Sequence, residues 1–393
     1  MTIEEDHVRR AFHPRRAVAV VAVLSALMLS GCGGPGAHTG SVPVTTDQDK
    51  PFVLAGVSGL TQIAQLTGPG AMNDTATVSV AGTDLGSMAN IGDKTFFFFG
   101  DTFGERAADA YGGQGENWRS NVVAWTEDAD PSDGIDFSGW HTDEFGEAGA
   151  MVEGDHDAND GTGEVTKIPT YGFEVDGALY VFYMSVSYWG EPGAWDANHA
   201  ALARSTDQGR TWTALKAPRW PGDSNFIQVA TARVTEGGVD YVYFWAIPAG
   251  RFGHVELMRV PADRRSVEDE DAYTYFAGTQ ADGSPRWSHA MADAATVLDG
   301  TIGELSVMWS PYLERWLMTY SDGGNAYIRE GVTPWGPWGD PLTLASAADY
   351  PGLYAPFMNP RYVADGGRRI FFSMSLWGPY NVFWFRVDLD KRP

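Results

Sequence analysis

One unit returns five times along this chain: a turn rich in glycine, aspartate or proline, a strand of aromatic and β-branched residues, and then a further strand. The strong strands lie at residues 95–99, 179–183, 241–245, 316–320 and 370–374, and each follows a hairpin signal. Those signals are Gly92-Asp93, Asp176-Gly177, Gly237-Gly238, Pro311-Tyr312-Leu313-Glu314 and Asp365-Gly366-Gly367. A third strand follows each time, at residues 121–125, 199–204, 254–260, 325–329 and 380–387. No amphipathic stretch of helical length separates the copies. Repeated antiparallel units without helices bury their faces by radial stacking, so the sequence predicts an all-β fold, a five-bladed β-propeller over residues 51–393. A β-sandwich also uses short strands and turns, but it does not call for five copies of one unit.

Residues 205–212 read Ser-Thr-Asp-Gln-Gly-Arg-Thr-Trp, an Asp-box. Its aspartate is expected to bond turn backbone and its tryptophan to pack between sheets, a structural device.

In a propeller the first strand of each repeat lines a central channel and the second runs back to the same end. Residues equally distant from the hairpin turn therefore become cross-strand neighbours. Asp84 and Asp101 are symmetric about the turn between Gly92 and Asp93, and Glu304 and Asp322 are symmetric about Leu313. The other repeats place Ile168 and Ser185, Val229 and Ala246, and Phe357 and Met374 there, so the acids are selective. Opposed carboxylates destabilise a sheet and raise one another's pKa. Acid–base catalysis is one reason to keep them, because it needs one group protonated and another ionised near neutral pH. The alternative is that they cap turns or accept backbone hydrogen bonds at a rim.

Aromatic residues crowd the segments after the second strands. Trp189 and Trp195 flank Gly190-Glu191-Pro192-Gly193-Ala194, and Trp377 and Tyr380 flank Gly378-Pro379. Such rings stack on sugar faces while their polar tips bond hydroxyls, and inter-blade packing is the competing use. With Asp322 these four form the expected substrate-binding set. The Gly- and Asp-rich segment 104–164 is long enough to wall a cleft.

The N-terminus carries an export signal. Arg9, Arg10, Arg15 and Arg16 precede an apolar run of thirteen residues, 17–29, interrupted only by Ser25, and Leu29-Ser30-Gly31-Cys32 reads as a lipobox. Thirteen residues fall short of the ~20 that span a bilayer. Residues 1–31 are thus expected to be a lipoprotein signal peptide, with Cys32 lipidated and the mature chain anchored to the outer face of the bacterial cell membrane. Residues 32–50, rich in Gly, Thr, Ser and Pro, read as a flexible tether. Cys32 is the only cysteine, so no internal disulfide is available.

Removing residues 1–31 takes four arginines and three acids from totals of 27 and 51, leaving 23 basic against 48 acidic residues. That balance disfavours nucleic acid and suits a neutral polysaccharide partner; a monomer is expected. There is no Gly-x-Ser-x-Gly elbow, phosphate loop or His-Glu-x-x-His motif, so serine-hydrolase, nucleotide and zinc chemistries lack a nucleus. Residues 155–161, Asp-His-Asp-Ala-Asn-Asp-Gly, approach a calcium loop, but the glycine is one place late and Thr166 stands where glutamate belongs. They read as a solvated acidic loop, and no metal or cofactor is expected.

As a set, residues 82–86, 99–102, 168–170, 184–186, 191–195, 303–307 and 375–382 resemble the domain-of-unknown-function family 4185, also described as glycoside hydrolase family 183. The resemblance runs from about residue 75 to the C-terminus. It implies a five-bladed propeller that cleaves internal linkages of D-arabinan in arabinogalactan and lipoarabinomannan, with catalytic aspartates at positions matching Asp84 and Asp101. Glu304, across the channel, is the candidate general acid. A non-catalytic glycan-binding or assembly lipoprotein is the rival reading; a sialidase, suggested by the Asp-box, lacks the arginine cluster it needs.

Overall fold

The computed structural model describes residues 40–393. The signal segment 1–31, Cys32 and the tether up to residue 39 lie outside the described residues. The strands form five sheets of an all-β propeller, antiparallel throughout apart from one two-residue edge pairing in the third. The first contains Gly82–Ile91, Lys94–Glu105, Val122–Thr126 and Gly139–Trp140, with Glu116–Arg119 also paired to the second strand. The second sheet runs Thr166–Val175, Ala178–Trp189, Trp195–Ser205 and Thr213–Pro221. The third begins Gln228–Glu236, Val239–Ile247 and Gly253–Pro261 and continues through Thr274–Thr279 and Pro285–Ser288. Leu305–Ser310, Arg315–Asp322, Asn325–Gly331 and Leu342–Ala345 make the fourth. Leu353–Ala364, Arg369–Leu376 and Asn381–Lys391 make the fifth, whose outer strand is Leu54–Gln65 from the start of the propeller.

All five expected turns join first and second strands. Gly237 and Gly238 have φ of 59° and 81°, as do the left-handed residues of a tight hairpin turn, where glycine avoids the Cβ penalty. The stretch read as flexible tether differs in part from that expectation. Val42–Pro43 pairs in parallel with Val234 and Thr235, because the first strand of the third sheet extends there with a free edge.

Second strands are buried on both faces, which explains unbroken apolar runs such as Phe96, Phe97, Phe98 and Phe99, each at most 1% exposed. Aromatic wedges fill the gaps between sheets. Phe98 meets Trp212 of the Asp-box edge-on at 6.0 Å, Phe173 meets Phe244 at 5.3 Å, Trp245 meets Trp316 at 5.5 Å and Phe97 meets Trp384 at 6.2 Å. The Asp-box serves the turn itself: Asp207 Oδ1 accepts from the Thr211 amide at 2.9 Å and Oδ2 from its hydroxyl at 2.6 Å. Side chains rather than a backbone ladder join the first strands to their neighbouring sheets. Leu85 N donates to Ser375 Oγ, on the second strand of the fifth sheet, at 2.9 Å, and Met358 N donates to Ser306 Oγ, on the first strand of the fourth, at 3.0 Å.

Trp384 is fully buried, stacks near Phe371, abuts Tyr362 and donates from Nε1 to Pro131 O at 3.0 Å. Trp384→Ala is expected to cost about 3–5 kcal/mol, read as a lowered denaturation midpoint at unchanged slope.

Candidate active site

A cavity of about 890 Å³ opens where the first strands begin and the second strands end. Its floor takes one apolar residue from each sheet: Leu85, Ile168, Val229, Leu305 and Phe357. That size lies within the range of small-molecule and oligosaccharide-sized pockets.

Asp84 and Asp101 come together on the wall formed by the first sheet. Thr83 faces Thr102, as symmetry about the turn predicts, but the register then slips so that Leu85 faces Phe99. This bulge sets Leu85 and Gly86 at φ of 67° and 86° and turns the Asp84 carboxyl over Gly100. A Cβ at position 100 would stand 2.3 Å from Asp84 Oδ1, so the close approach requires glycine. Tyr354 Oη, from the fifth sheet, donates to Asp84 Oδ2 at 2.9 Å. Asp84 Oδ1 is buried and has no hydrogen-bond partner. Asp101 Oδ1 accepts from Trp118 Nε1 at 2.7 Å and from Thr166 Oγ1 at 2.6 Å.

Burial pushes the Asp84 carboxyl up to about 7, and the neighbouring Asp101 charge adds to the rise; the Tyr354 hydrogen bond acts against it. Burial likewise pushes Asp101 up to about 7, against the bonds from Thr166 and Trp118. Two such groups titrate as a pair, and between its two steps the pair holds one proton. That is the protonation state acid–base catalysis needs near neutral pH.

The pairing expected in the fourth sheet does not form. Leu305 faces Tyr320, which puts Glu304 level with Ser321, because the 311–314 turn is centred between Tyr312 and Leu313. A one-residue slip in a strand turns a side chain to the other face. Asp322 instead pairs with Asn325, and its Oδ1 accepts from Thr301 Oγ1 at 2.7 Å, though it still borders the cavity. Bulges also move two of the other expected neighbours by one place: Ile168 faces Met184 and Phe357 faces Ser373, while Val229 faces Ala246.

Glu304 reaches the cavity with both oxygens held by Arg251, whose Nε lies 2.9 and 3.0 Å from Oε1 and Oε2 and whose NH2 lies 2.6 Å from Oε1. The guanidinium also sits 4.9 Å from the Tyr354 ring centre and 5.6 Å from that of Trp195. Among the described residues Arg251 is the only base lining the cavity, against the acids Asp84, Asp101, Glu191, Glu304 and Asp322. An anionic substrate finds no unpaired arginine cluster here.

Trp189 and Trp195 meet edge-on at 5.5 Å on one wall. Trp189 is braced by Asn159 of the acidic loop, which accepts from its amide at 2.6 Å and donates to its carbonyl at 2.9 Å. On another wall Trp377 and Tyr380 meet edge-on at 5.5 Å; Tyr380 is buried and Trp377 is 44% exposed. All four line the cavity. Sequence reasoning missed Arg251, Tyr354, Trp118 and Thr166. The Ala249-Gly250-Arg251-Phe252-Gly253 turn marked a loop at the cavity end of the third repeat, yet nothing local signals which sheet its arginine meets.

A folded-state pKa near 7 against 3.8 means that the folded chain binds the Asp84 proton more tightly than the unfolded chain does. The stability this confers is complete below 3.8 and is lost as pH rises through about 7. Asp84→Asn removes that loss, so the variant's Tm should gain on the wild type by ~2–4 °C more at high pH than at low pH. Calorimetry at two pH values on either side of the titration checks this.

Among solved structures the chain is similar to a Bacteroides ovatus ATCC 8483 protein provisionally classed as a hydrolase, at 13% identity and a TM-score of 0.51, over 79% of this chain and 86% of that one. It is also similar to a GH43_1 enzyme from Xanthomonas citri, at 11% identity and a TM-score of 0.46, over 83% and 90% of the two chains. The native arabinanase Arb43A of Bacillus subtilis shares 12% identity at a TM-score of 0.40, over 78% and 96%. At 13% identity the first of these likenesses speaks to fold alone. No curated protein matches the sequence. A family model described as Domain of unknown function (DUF4185) matches residues 70–386.

Proposed function

The chain belongs to the DUF4185 family, and from that premise we propose that it is a glycoside hydrolase cleaving internal arabinofuranosidic linkages of D-arabinan, as in arabinogalactan and lipoarabinomannan. One observation carries the reading: two carboxyls, Asp84 and Asp101, share one wall of an aromatic-lined cavity, and burial lifts both to about 7. The D-arabinan specificity rests on the resemblance of the stretches around these residues to glycoside hydrolase family 183. In this reading each of the five sheets is one blade, and Cys32 carries the lipid that tethers the enzyme to the outer face of the cell membrane.

Roles within the pair follow from their hydrogen bonds. Asp101 receives two donors on one oxygen, which favours its ionised form, whereas Asp84 receives one donor and keeps an unpartnered Oδ1, which favours the proton. Asp84 gives its proton to the leaving glycosidic oxygen as the bond to the anomeric carbon breaks. Asp101 supports the positive charge that develops on the sugar, water supplies the hydroxyl to the anomeric carbon, and its remaining proton returns to the pair. Tyr354 orients Asp84, and Glu304, both of whose oxygens are held by Arg251, shapes the field across the cavity in place of the general-acid role expected from the sequence. Trp189, Trp195, Trp377, Tyr380 and Asp322 contact the sugar rings and their hydroxyls.

The test is incubation of the full chain with arabinogalactan, lipoarabinomannan and plant L-arabinan, with released oligosaccharides resolved by chromatography. A ladder from the D-arabinan polymers is expected. Asp84→Asn and Asp101→Asn should each lower turnover by about 10²–10⁴-fold without unfolding the chain. Gly100→Ala should fall similarly, because its Cβ displaces the Asp84 carboxyl. Retention on a polymer with no product, in wild type and variants alike, would replace this reading with that of a glycan-binding module.

A further inference from the structure

Seven large apolar side chains stand exposed among the described residues, and three of them, Tyr111, Phe252 and Trp377, line the cavity. Tyr111 is 68% exposed and Phe252 is 64% exposed. Neither belongs to the buried hydrophobic clusters of the sheets, and exposed aromatic surface concentrated at one cavity marks a binding surface.

The two sit at different junctions of the mouth. Tyr111 belongs to the segment after Lys94–Glu105 of the first sheet and lies against Gly378 of the fifth, where an added Cβ would come within 3.3 Å of its ring. Phe252 belongs to the turn after Val239–Ile247 of the third sheet and lies against Gly193 of the second, with the equivalent distance 3.1 Å. The first strand of the first sheet neighbours those of the second and the fifth, so the junctions fall on either side of Asp84 and Asp101. Trp377 and Tyr380 continue the Tyr111 side inward, and Trp189 and Trp195 continue the Phe252 side.

Both exposed rings ride on pinned turns. Arg106 holds the first, its Nε donating to Gln114 O at 3.0 Å and its NH2 to Gly112 O at 2.6 Å, while Gln114 Nε2 donates to Tyr111 O at 3.0 Å. Gln228 holds the second, donating to Gly250 O at 2.7 Å and Pro248 O at 2.9 Å, and Arg251 N donates to Gly193 O at 2.9 Å. A ring fixed before binding loses little entropy when a ligand stacks on it.

We propose that Tyr111 and Phe252 are two outer subsites that stack sugar rings of one neutral glycan chain on opposite sides of the acid pair, making the protein selective for polymer over short oligosaccharide. This rests on the glycoside-hydrolase reading and extends it. The ligand is a neutral polymer because, among the described residues, the cavity carries five acids and a single base already paired with Glu304, a charge balance that repels polyanions.

The experiment is affinity electrophoresis of the full chain, made uncleaving by Asp84→Asn, in gels containing D-arabinan, L-arabinan or xylan. Tyr111→Ala and Phe252→Ala are compared singly and together, with Tyr111→Phe and Phe252→Trp as stacking-competent controls. In parallel, kcat and KM are measured in the Asp84 background on polymer and on a short oligosaccharide. The polymer dissociation constant and KM should rise about three- to tenfold for each alanine and further for both, with kcat on the short substrate unchanged and the conservative variants near wild type. Equal retardation of the double variant and its parent would overturn the subsites while leaving the enzyme reading intact. Retardation by xylan alone, lost in the double variant, would keep the subsites and remove D-arabinan as the substrate. No retardation by any of the three polymers would also overturn the proposal.

Discussion

A strand such as residues 95–99, apolar on both faces, has no side it can present to water, and the architecture follows from satisfying that constraint five times. Each sheet needs a neighbour on either face. The wedges Phe98 with Trp212, Phe173 with Phe244, Trp245 with Trp316 and Phe97 with Trp384 provide those neighbours at four of the five junctions. The fifth sheet takes Leu54–Gln65 as its outer strand, tying a segment from the start of the propeller to its last sheet. Rigidity at the centre is a consequence, because displacing one sheet opens gaps on two sides.

That rigidity permits a costly site. The first strands are tied to neighbouring sheets by side chains such as Ser306 and Ser375, so backbone at the channel mouth is free to bulge without breaking an inter-sheet ladder. The bulge at Leu85 and Gly86 uses this freedom to fold the Asp84 carboxyl over Gly100 and beside Asp101. Both groups lose hydration there, and the free energy that raises their pKa is a destabilisation the packed sheets absorb.

The non-repeating segments shape the mouth. The acidic loop that approaches a calcium motif braces Trp189 through Asn159, while the segment after Lys94–Glu105 brings Tyr111 and Gly113 to the rim. Arg251 joins the third sheet to the fourth by gripping Glu304 and sits above Tyr354 of the fifth. These cross-sheet contacts give the cavity its aromatic walls and one-sided charge.

The repeated turns and alternating strands were legible in the sequence because hairpin formation is local: turn chemistry and residue period act over a few neighbours. The convergence of Asp84 and Asp101 was legible for the same reason, since both are counted from one two-residue turn. Glu304 and Asp322 were not placed correctly, because a four-residue turn has its centre where pairing puts it, and a single step of register reverses a side chain. Nothing local signalled the partners of Arg251, Tyr354 and Trp118. Their partners come from other sheets or from across an irregular insertion, at separations along the chain that no local pattern encodes. Local chemistry in the sequence thus determined the strands, the turns and the first-sheet acid pair. The tertiary packing of one sheet against the next decided the bulge that aims Asp84, the ion pair that holds Glu304 and the walls of the cavity, because contacts between distant segments exist only once the sheets have closed on one another.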